Sequence, residues 1–273
     1  QHGILEQVPR AGCSWMKSYF INLISPIMVA LAYKKYEQLL TGKMELAFQQ
    51  EELICQAATL ISKSLSVEGW IYTCGTGHSH LLAEEIFYRA GGFARVRPLL
   101  LPQLMLHESA TGSTDEERKE GYAPILFQEY TITNKDVLLI SSNSGRNAVP
   151  IELASYAREQ GVKVIVITNL AHSKSVTSRH ASGLKLYQLG DVVLDNLGEI
   201  GDAALSLEGL ATPVGPTSTV IGTALLQAIC VEASAQLLSQ GITPEVFASS
   251  NSDQGAAHNE ALLEAYKPLV KML

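Results

Sequence analysis

Residues 70–80 read WIYTCGTGHSH, a short apolar run that passes directly into a glycine loop. Trp70, Ile71, Tyr72, Thr73 and Cys74 are of the aromatic and β-branched type, and Gly69 and Gly75 bound them, as expected of a short buried strand. The residues after the loop predict a helix over 79–90 that stops at Gly91–Gly92. The same order of apolar run, polar loop and helix recurs downstream. Strands are expected at 94–101 (ARVRPLLL), 136–141 (DVLLIS), 162–168 (VKVIVIT) and 191–195 (DVVLD). Between the third and fourth strands lies a helix with Pro150 in its first turn, where proline is tolerated. Leu46, Leu53, Ile54, Ala57, Leu60, Ile61 and Leu65 recur at helical spacing, which predicts helix over 28–66, divided at Gly42. Two further helices are expected, from Pro216 to about Ser239 and from about His258 onward.

Short apolar strands alternating with helices build a parallel sheet covered on both faces. The expected fold class is therefore α/β, a doubly wound three-layer αβα sandwich around a five-stranded parallel sheet. Ligands in such sheets sit beyond the carboxyl ends of the strands, where loops feed helix N-termini.

The chain has 273 residues, 47% of them hydrophobic and 17% charged, enough to bury a core without disulfides or a structural metal. Twenty Lys and Arg against 27 Asp and Glu give a net charge of −7, which argues against nucleic acid and anionic membrane as partners. Cys13, Cys55, Cys74 and Cys230 are scattered without CxxC pairing and read as reduced thiols in a cytoplasmic protein. Residues 1–27 read as a disordered lead or an upstream remnant, and 28–273 as a single domain with N-terminal helices and a C-terminal helical tail. The run 16–32 shares Lys17, an apolar stretch and the small residues Ala30 and Ala32 with secretory signals, but Asn22, Ser25 and Pro26 interrupt it. No run reaches the continuous apolar length of a membrane span, roughly 18–20 residues.

Two loops carry the chemistry. Gly75-Thr76-Gly77-His78-Ser79-His80 is not a Walker loop, because no Gly-Lys-Ser/Thr follows, and His80 stands where the dinucleotide fingerprint needs its third glycine. Two readings remain for it: a turn that lets backbone N–H groups approach an anion, or a glycine turn needed for tight packing. Ser141-Ser142-Asn143-Ser144-Gly145-Arg146-Asn147 places hydroxyls, amides and a guanidinium ahead of a helix N-terminus, where negative charge is favoured. An ordinary N-cap is the alternative there.

Together the loops resemble those of the sugar-isomerase (SIS) phosphosugar-binding family. The matching elements are GTGHS at 75–79, Ser142-Asn143-Ser144-Gly145, and the Ser/Thr-rich start of a long late helix at Gly215-Pro216-Thr217-Ser218-Thr219. The likeness runs from about residue 45 to 240. It is nearest to phosphoheptose isomerase and N-acetylmuramic acid 6-phosphate etherase, and it implies a flavodoxin-like, Rossmann-like sheet. By that resemblance Ser142, Asn143, Ser144 and Asn147 surround a sugar phosphate, with Gly75, Gly77, Ser79 and Ser218 nearby. Asn147 stands where many members carry Thr or Ser, and Arg146 either binds the phosphate or faces solvent.

The resemblance implies a ligand, a phosphorylated sugar or amino sugar, and an aldose–ketose isomerisation through an enediol. A lyase or etherase step on an amino-sugar phosphate, or a non-catalytic phosphosugar sensor, are the alternatives. Isomerisation needs a base for a carbon-bound proton and an acid/base for ring opening. Relatives draw these from a late-helix Glu and a His often supplied by a partner subunit, which points by region to Glu232 and His258, with Glu260 close by. Each also has a plain reading, as an exposed helix carboxylate or a helix-capping histidine. His78, His80, His107, Glu108 and Arg146 are candidate sugar contacts. Residues 103–124, which contain His107 and Glu108, read as a lid or as a solvated helix face. Phosphoheptose isomerases can contain zinc, but His78-Ser79-His80 with no further fixed-spacing ligand falls short of a zinc signature, so no cofactor is expected. Residues 1–65 hold six Lys and Arg against five Asp and Glu, with no basic DNA-reading head. A homodimer or homotetramer is expected.

Overall fold

This computed structural model describes residues 31–270, 272 and 273. The readings of residues 1–27, and of 16–30 as the body of a leader, lie outside the described residues. Five parallel strands form the central sheet: β1 (Ile71–Gly75), β2 (Val96–Pro98), β3 (Val137–Ser141), β4 (Lys163–Thr168) and β5 (Val192–Asp195). Their spatial order is β2-β1-β3-β4-β5, with every pairing parallel. The expected three-layer sandwich is what the chain forms.

Successive residues of a strand point to opposite faces, and the two core layers follow that alternation. Val137, Leu139, Ile165 and Ile167 face one layer. Leu138, Ile140, Val164 and Val166 face the other. The first layer is covered by α2 (Glu51–Ser66), α3 (His80–Glu85) and α8 (Ser218–Ser239). The second is covered by α5 (Tyr122–Tyr130) and α6 (Ala148–Glu159). The remaining helices are α1 (Ala32–Phe48), α4 (Ala110–Glu116), α7 (Leu170–Ser175) and α9 (Asp253–Tyr266).

Several boundaries differ from the sequence expectation. Gly42 does not divide the first helices: α1 runs through it, and the break falls at Gln49–Gln50. The second strand is three residues rather than eight, because Pro98 has no N–H to donate and β2 lies at the sheet edge. The helix after the glycine loop ends at Glu85, ahead of Gly91–Gly92. The last helix begins at Asp253, five residues before the expected start, because the Ser252 side chain accepts from Gly255 N and caps it. An antiparallel pair, β6 (Ala203–Leu205) with β7 (Val214–Pro216), was not foreseen.

Among the described residues α8 is the one helix long and apolar enough, by length and composition, to cross a bilayer. Its packing is that of a core helix. Ile221, Leu225, Ile229, Ala233 and Leu237 are buried, and Gln236 Oε1 accepts from the Thr59 and Ser62 hydroxyls of α2.

Candidate anion-binding cleft at the sheet switch point

The chain leaves β1 toward β2 on one side and returns to pair β3 on the other. At that reversal the loops after β1 and β3 diverge and open a crevice at the carboxyl ends of the strands. A narrow cleft of about 10 Å³ lies there, lined by Ser79 and Leu82, by Ser141, Ser142, Asn143 and Ile167, by Asn196, and by Ser218 and Thr219. A groove of about 320 Å³ lies at the amino-terminal end of the sheet, lined by Leu65, Phe93, Arg95 and Leu237 among others. It is larger, but neither glycine loop reaches it. The chemistry-bearing residues converge on the smaller cleft.

In the first loop, a Cβ at Gly75 would stand 2.2 Å from Ser79 O and 2.7 Å from His80 N. The strand end can approach the helix start that closely only without a side chain. Gly77 has φ +55°, where glycine is not strained. The two glycines thus meet a packing need and a conformational need respectively. Thr76 Oγ1 donates to Glu117 Oε2 at 2.6 Å. His80 is buried, with Nδ1 on Gly77 O and Nε2 3.7 Å from Glu84 Oε1.

The second loop is held by backbone and side chains together. Ser142 N donates to Ile167 O, and Ser142 Oγ accepts from Gly145 N at 3.2 Å. Thr168 Oγ1 donates to Ser142 O at 2.7 Å. Asn143 O accepts from Asn169 N, and Asn143 Oδ1 accepts from Asn196 Nδ2 at 3.1 Å. Ser144 Oγ makes no hydrogen bond among the described residues, and neither does Ser141 Oγ, although Ser141 is buried. Asn147 is the N-cap residue of α6, but its side chain does not cap; its Oδ1 accepts from Arg179 Nη1 at 2.9 Å. The Arg146 guanidinium is bound to Thr177, with Nε on Thr177 O at 2.9 Å and Nη2 on Thr177 Oγ1 at 3.2 Å. Of the two readings of Arg146, phosphate ligand or solvent-facing, this conformation matches neither.

The guanidiniums of Arg146 and Arg118 act on Arg179, whose pKa is lowered by burial first and by these charges next, with Glu117 opposing. His172 is likewise lowered, by desolvation and then by Arg146, with Asp202 opposing.

At the third element, Ser218 opens α8 and Asp202 sits over it. Asp202 Oδ1 accepts from Thr217 N at 3.2 Å and Ser218 N at 3.0 Å, and Oδ2 accepts from Ser218 Oγ at 2.6 Å.

Of the candidate phosphate-binding residues, Ser79, Ser142, Asn143 and Ser218 line this one cleft, whereas Gly75, Gly77, Ser144 and Asn147 are not part of its lining. Nor is Glu232: it stands 14 residues beyond Ser218 on α8, about 21 Å along the helix axis at 1.5 Å per residue. There it accepts a hydrogen bond from Gln236. His258 lies inside α9 rather than in a loop, and its Nε2 donates to Val246 O at 2.9 Å. Val246 pairs with Phe93 at the amino-terminal end of the sheet, away from the cleft. His78 is exposed. His107 and Glu108 are also exposed, although the His107 ring is 6.4 Å from that of His80. Among the described residues no three His, Cys, Asp or Glu side chains stand close enough to hold a metal ion.

Four residues near the cleft escaped sequence reading: Glu117, Arg179, Asn196 and Asp202. Asn196 follows β5 directly, so the strand-end rule used for β1 and β3 would have found it. Glu117 sat in a charge run that reads as solvated surface, and nothing local marks Arg179 or Asp202.

Residues 35–169 match the family model for the SIS domain. The chain is 41% identical over 247 residues to the UPF0309 protein BH0227 of Halalkalibacterium halodurans, covering 90% of this chain and 97% of that one. It belongs to the UPF0309 protein family. Among solved structures it is similar to phosphoheptose isomerase GmhA from Neisseria gonorrhoeae, with 19% identity, a TM-score of 0.45 and coverage of 74% of this chain and 99% of that one. It is also similar to the Vibrio vulnificus NanR protein complexed with ManNAc-6P, with 15% identity, a TM-score of 0.47 and coverage of 89% and 71%.

Proposed function

We propose that the cleft binds the phosphate of a phosphorylated sugar or amino sugar, and that the protein isomerises that sugar between aldose and ketose through an enediol. The observation that carries the binding half is the convergence of three strand-to-helix junctions on one crevice, with the buried Ser141 hydroxyl that lines it free of an intramolecular partner. An unpaired hydroxyl beside helix N-termini is an arrangement that favours an anion. Ser79, Ser142, Asn143, Ser144 and Ser218 are the phosphate ligands in this reading, and Asn147 shapes the loop through Arg179. His80, inside the first loop, and His107 beside it face the sugar.

The catalytic half assigns the proton transfers to Glu232 and His258 of a second copy, since in their own chain neither reaches the cleft. A homodimer or homotetramer is thus part of the proposal. The α1 helix leaves Tyr33, Leu46 and Phe48 exposed, and α8 leaves Val231 and Leu238 exposed. A cytoplasmic location is consistent with the reduced-thiol reading. The distance of Glu232 and His258 from the cleft equally favours a second reading, a phosphosugar sensor without turnover.

A thermal-shift screen against sugar 6- and 7-phosphates, amino-sugar phosphates and their unphosphorylated parents tests the binding half. A ligand that binds only the folded state raises the melting temperature by mass action. Stabilisation by a phosphorylated sugar and not by its parent supports it, and silence across the panel removes it. Turnover of the stabilising sugar, followed by NMR, separates the isomerase from the sensor. A monomer in light scattering counts against catalysis shared between subunits.

A further inference from the structure

The N-terminus of α8 is already occupied by an anion of the chain's own. The Asp202 carboxylate takes the amides of Thr217 and Ser218 and the hydroxyl of Ser218, the donors a ligand phosphate would take there. Two further donors beside it have no acceptor. Ser141 Oγ and Thr217 Oγ1 make no hydrogen bond, in residues that are 2% and 0% exposed. A buried donor left unpaired is costly, and a carboxylate has too few oxygens to serve all of these groups. A phosphate monoester offers three terminal oxygens and a second negative charge.

The segment that carries Asp202 is short-stranded and is held to the body of the domain by polar contacts. Asp202 has φ +72°, a left-handed conformation that Asp and Asn adopt more readily than other non-glycine residues, and follows Gly201 at φ +86°. The β6–β7 pair beside it spans three residues on each strand, and Ile200 and Leu210 are exposed. Its approach is held by polar contacts, Lys43 Nζ to Glu199 at 2.9 Å and Asn169 Nδ2 to Glu199 O at 2.9 Å. Segments with few buried apolar contacts open at low free-energy cost.

We propose that Asp202 is a specificity-determining residue, a built-in competitor that a dianionic phosphate displaces from the start of α8 and that a monoanionic carboxylate does not. The inference rests on the reading of the cleft as a phosphate site. Bound phosphate then engages Ser218 and the unpaired Ser141 hydroxyl that lines the cleft, while the 199–216 segment moves outward with its carboxylate.

The test is calorimetric titration of the full chain and of Asp202→Asn with inorganic phosphate, with acetate and with the sugar phosphate that gives the largest thermal shift. Asn keeps an acceptor for the two amides and tolerates the left-handed backbone, so the change removes the charge while retaining the turn. The expected result is phosphate binding at least about tenfold tighter in Asp202→Asn, with acetate binding appearing only in the variant. Adding Ser218→Ala to the variant should abolish the gain. Equal affinity in both proteins, where the original chain does bind the sugar phosphate, overturns the inference and leaves the phosphate reading standing. Weaker binding, or unchanged binding with lost turnover, also overturns it, making Asp202 a ligand-holding or proton-transferring group. Absence of phosphate and sugar phosphate binding in both proteins ends the phosphate reading and the inference with it. Hydrogen exchange on the original chain supplies a second measurement. Ligand should accelerate exchange over 199–216, and slowed or unchanged exchange there overturns displacement.

Discussion

Thr76 of the first loop donates its hydroxyl hydrogen to Glu117 Oε2 at 2.6 Å, while the Glu117 carbonyl oxygen accepts the amide of Val149 in the first turn of α6. One residue of the charge run 115–120 thus links the loop after β1 to the helix after β3. Hydrogen bonds to a charged partner contribute about 1.5–3 kcal/mol, and less at a half-exposed site such as this. In a double-mutant cycle, Thr76→Val and Glu117→Ala should each lower stability in urea unfolding, with a coupling of about 1 kcal/mol. Strict additivity would show that the bond contributes nothing to stability.

Two glycines should respond in opposite directions to alanine. Gly75→Ala forces a Cβ to within 2.2 Å of backbone at Ser79 and should cost more than about 2 kcal/mol or prevent folding. Gly42 lies in the interior of α1, and a Cβ there meets nothing within 4 Å. Gly42→Ala should therefore stabilise by about 0.5–1 kcal/mol, since glycine in a helix interior carries that penalty. Chemical denaturation of both variants decides the matter. A destabilised Gly42→Ala would mean that α1 is covered on that side by another molecule.

Ser144 offers a hydroxyl without an intramolecular partner, so its removal should be silent in the ligand-free protein. Ser144→Ala is expected to keep the melting temperature and to weaken phosphosugar binding by about five- to tenfold, the loss of one hydrogen bond of about 1 kcal/mol. Calorimetry checks the affinity. An unchanged value takes Ser144 out of the ligand shell.

Burial pushes the thiols of Cys74 and Cys230 up from 9.0 to about 12. At pH 8 both should resist alkylation in the native state and react once unfolded, as read by peptide mass spectrometry, whereas Cys55 is only half-buried. The same shift sets a pH dependence. A group whose pKa is raised on folding binds more protons in the folded state, so the stability it contributes is intact below about pH 9 and is lost as the pH rises toward 12. Each thiol contributes up to about 1.4 kcal/mol per pH unit across that window. Tyr72, pushed up to about 12 mainly by burial, acts in the same direction above pH 10. Stability that stays flat from pH 9 to 11 would contradict the burial of these groups.

The strands were legible because an apolar run between polar loops identifies itself without tertiary information, and β3, β4 and β5 fall within a residue of expectation. The two glycine- and serine-rich loops were legible for the same reason: each adjoins such a strand. Other elements lack a local signal. The α4 sequence ATGSTDE has no apolar stripe, and the β6 and β7 strands have three residues each. One signal was present and unused, since Asn251-Ser252-Asp253 is a good N-cap sequence and would have placed His258 inside a helix. Glu232 shows a different limit. Periodicity assigns it to the late helix but says nothing of how far along that helix the cleft lies.

The contact between α2 and α8 has a bearing on how the chain is made. Ile54, Ala57, Ala58 and Ile61 of α2 join the same core layer as Ile221, Leu225 and Ile229 of α8, more than 150 residues later. During synthesis the early helix leaves the ribosome with its apolar face uncovered and stays so until α8 has been translated. Contacts so distant in sequence slow folding and prolong the exposure of sticky surface.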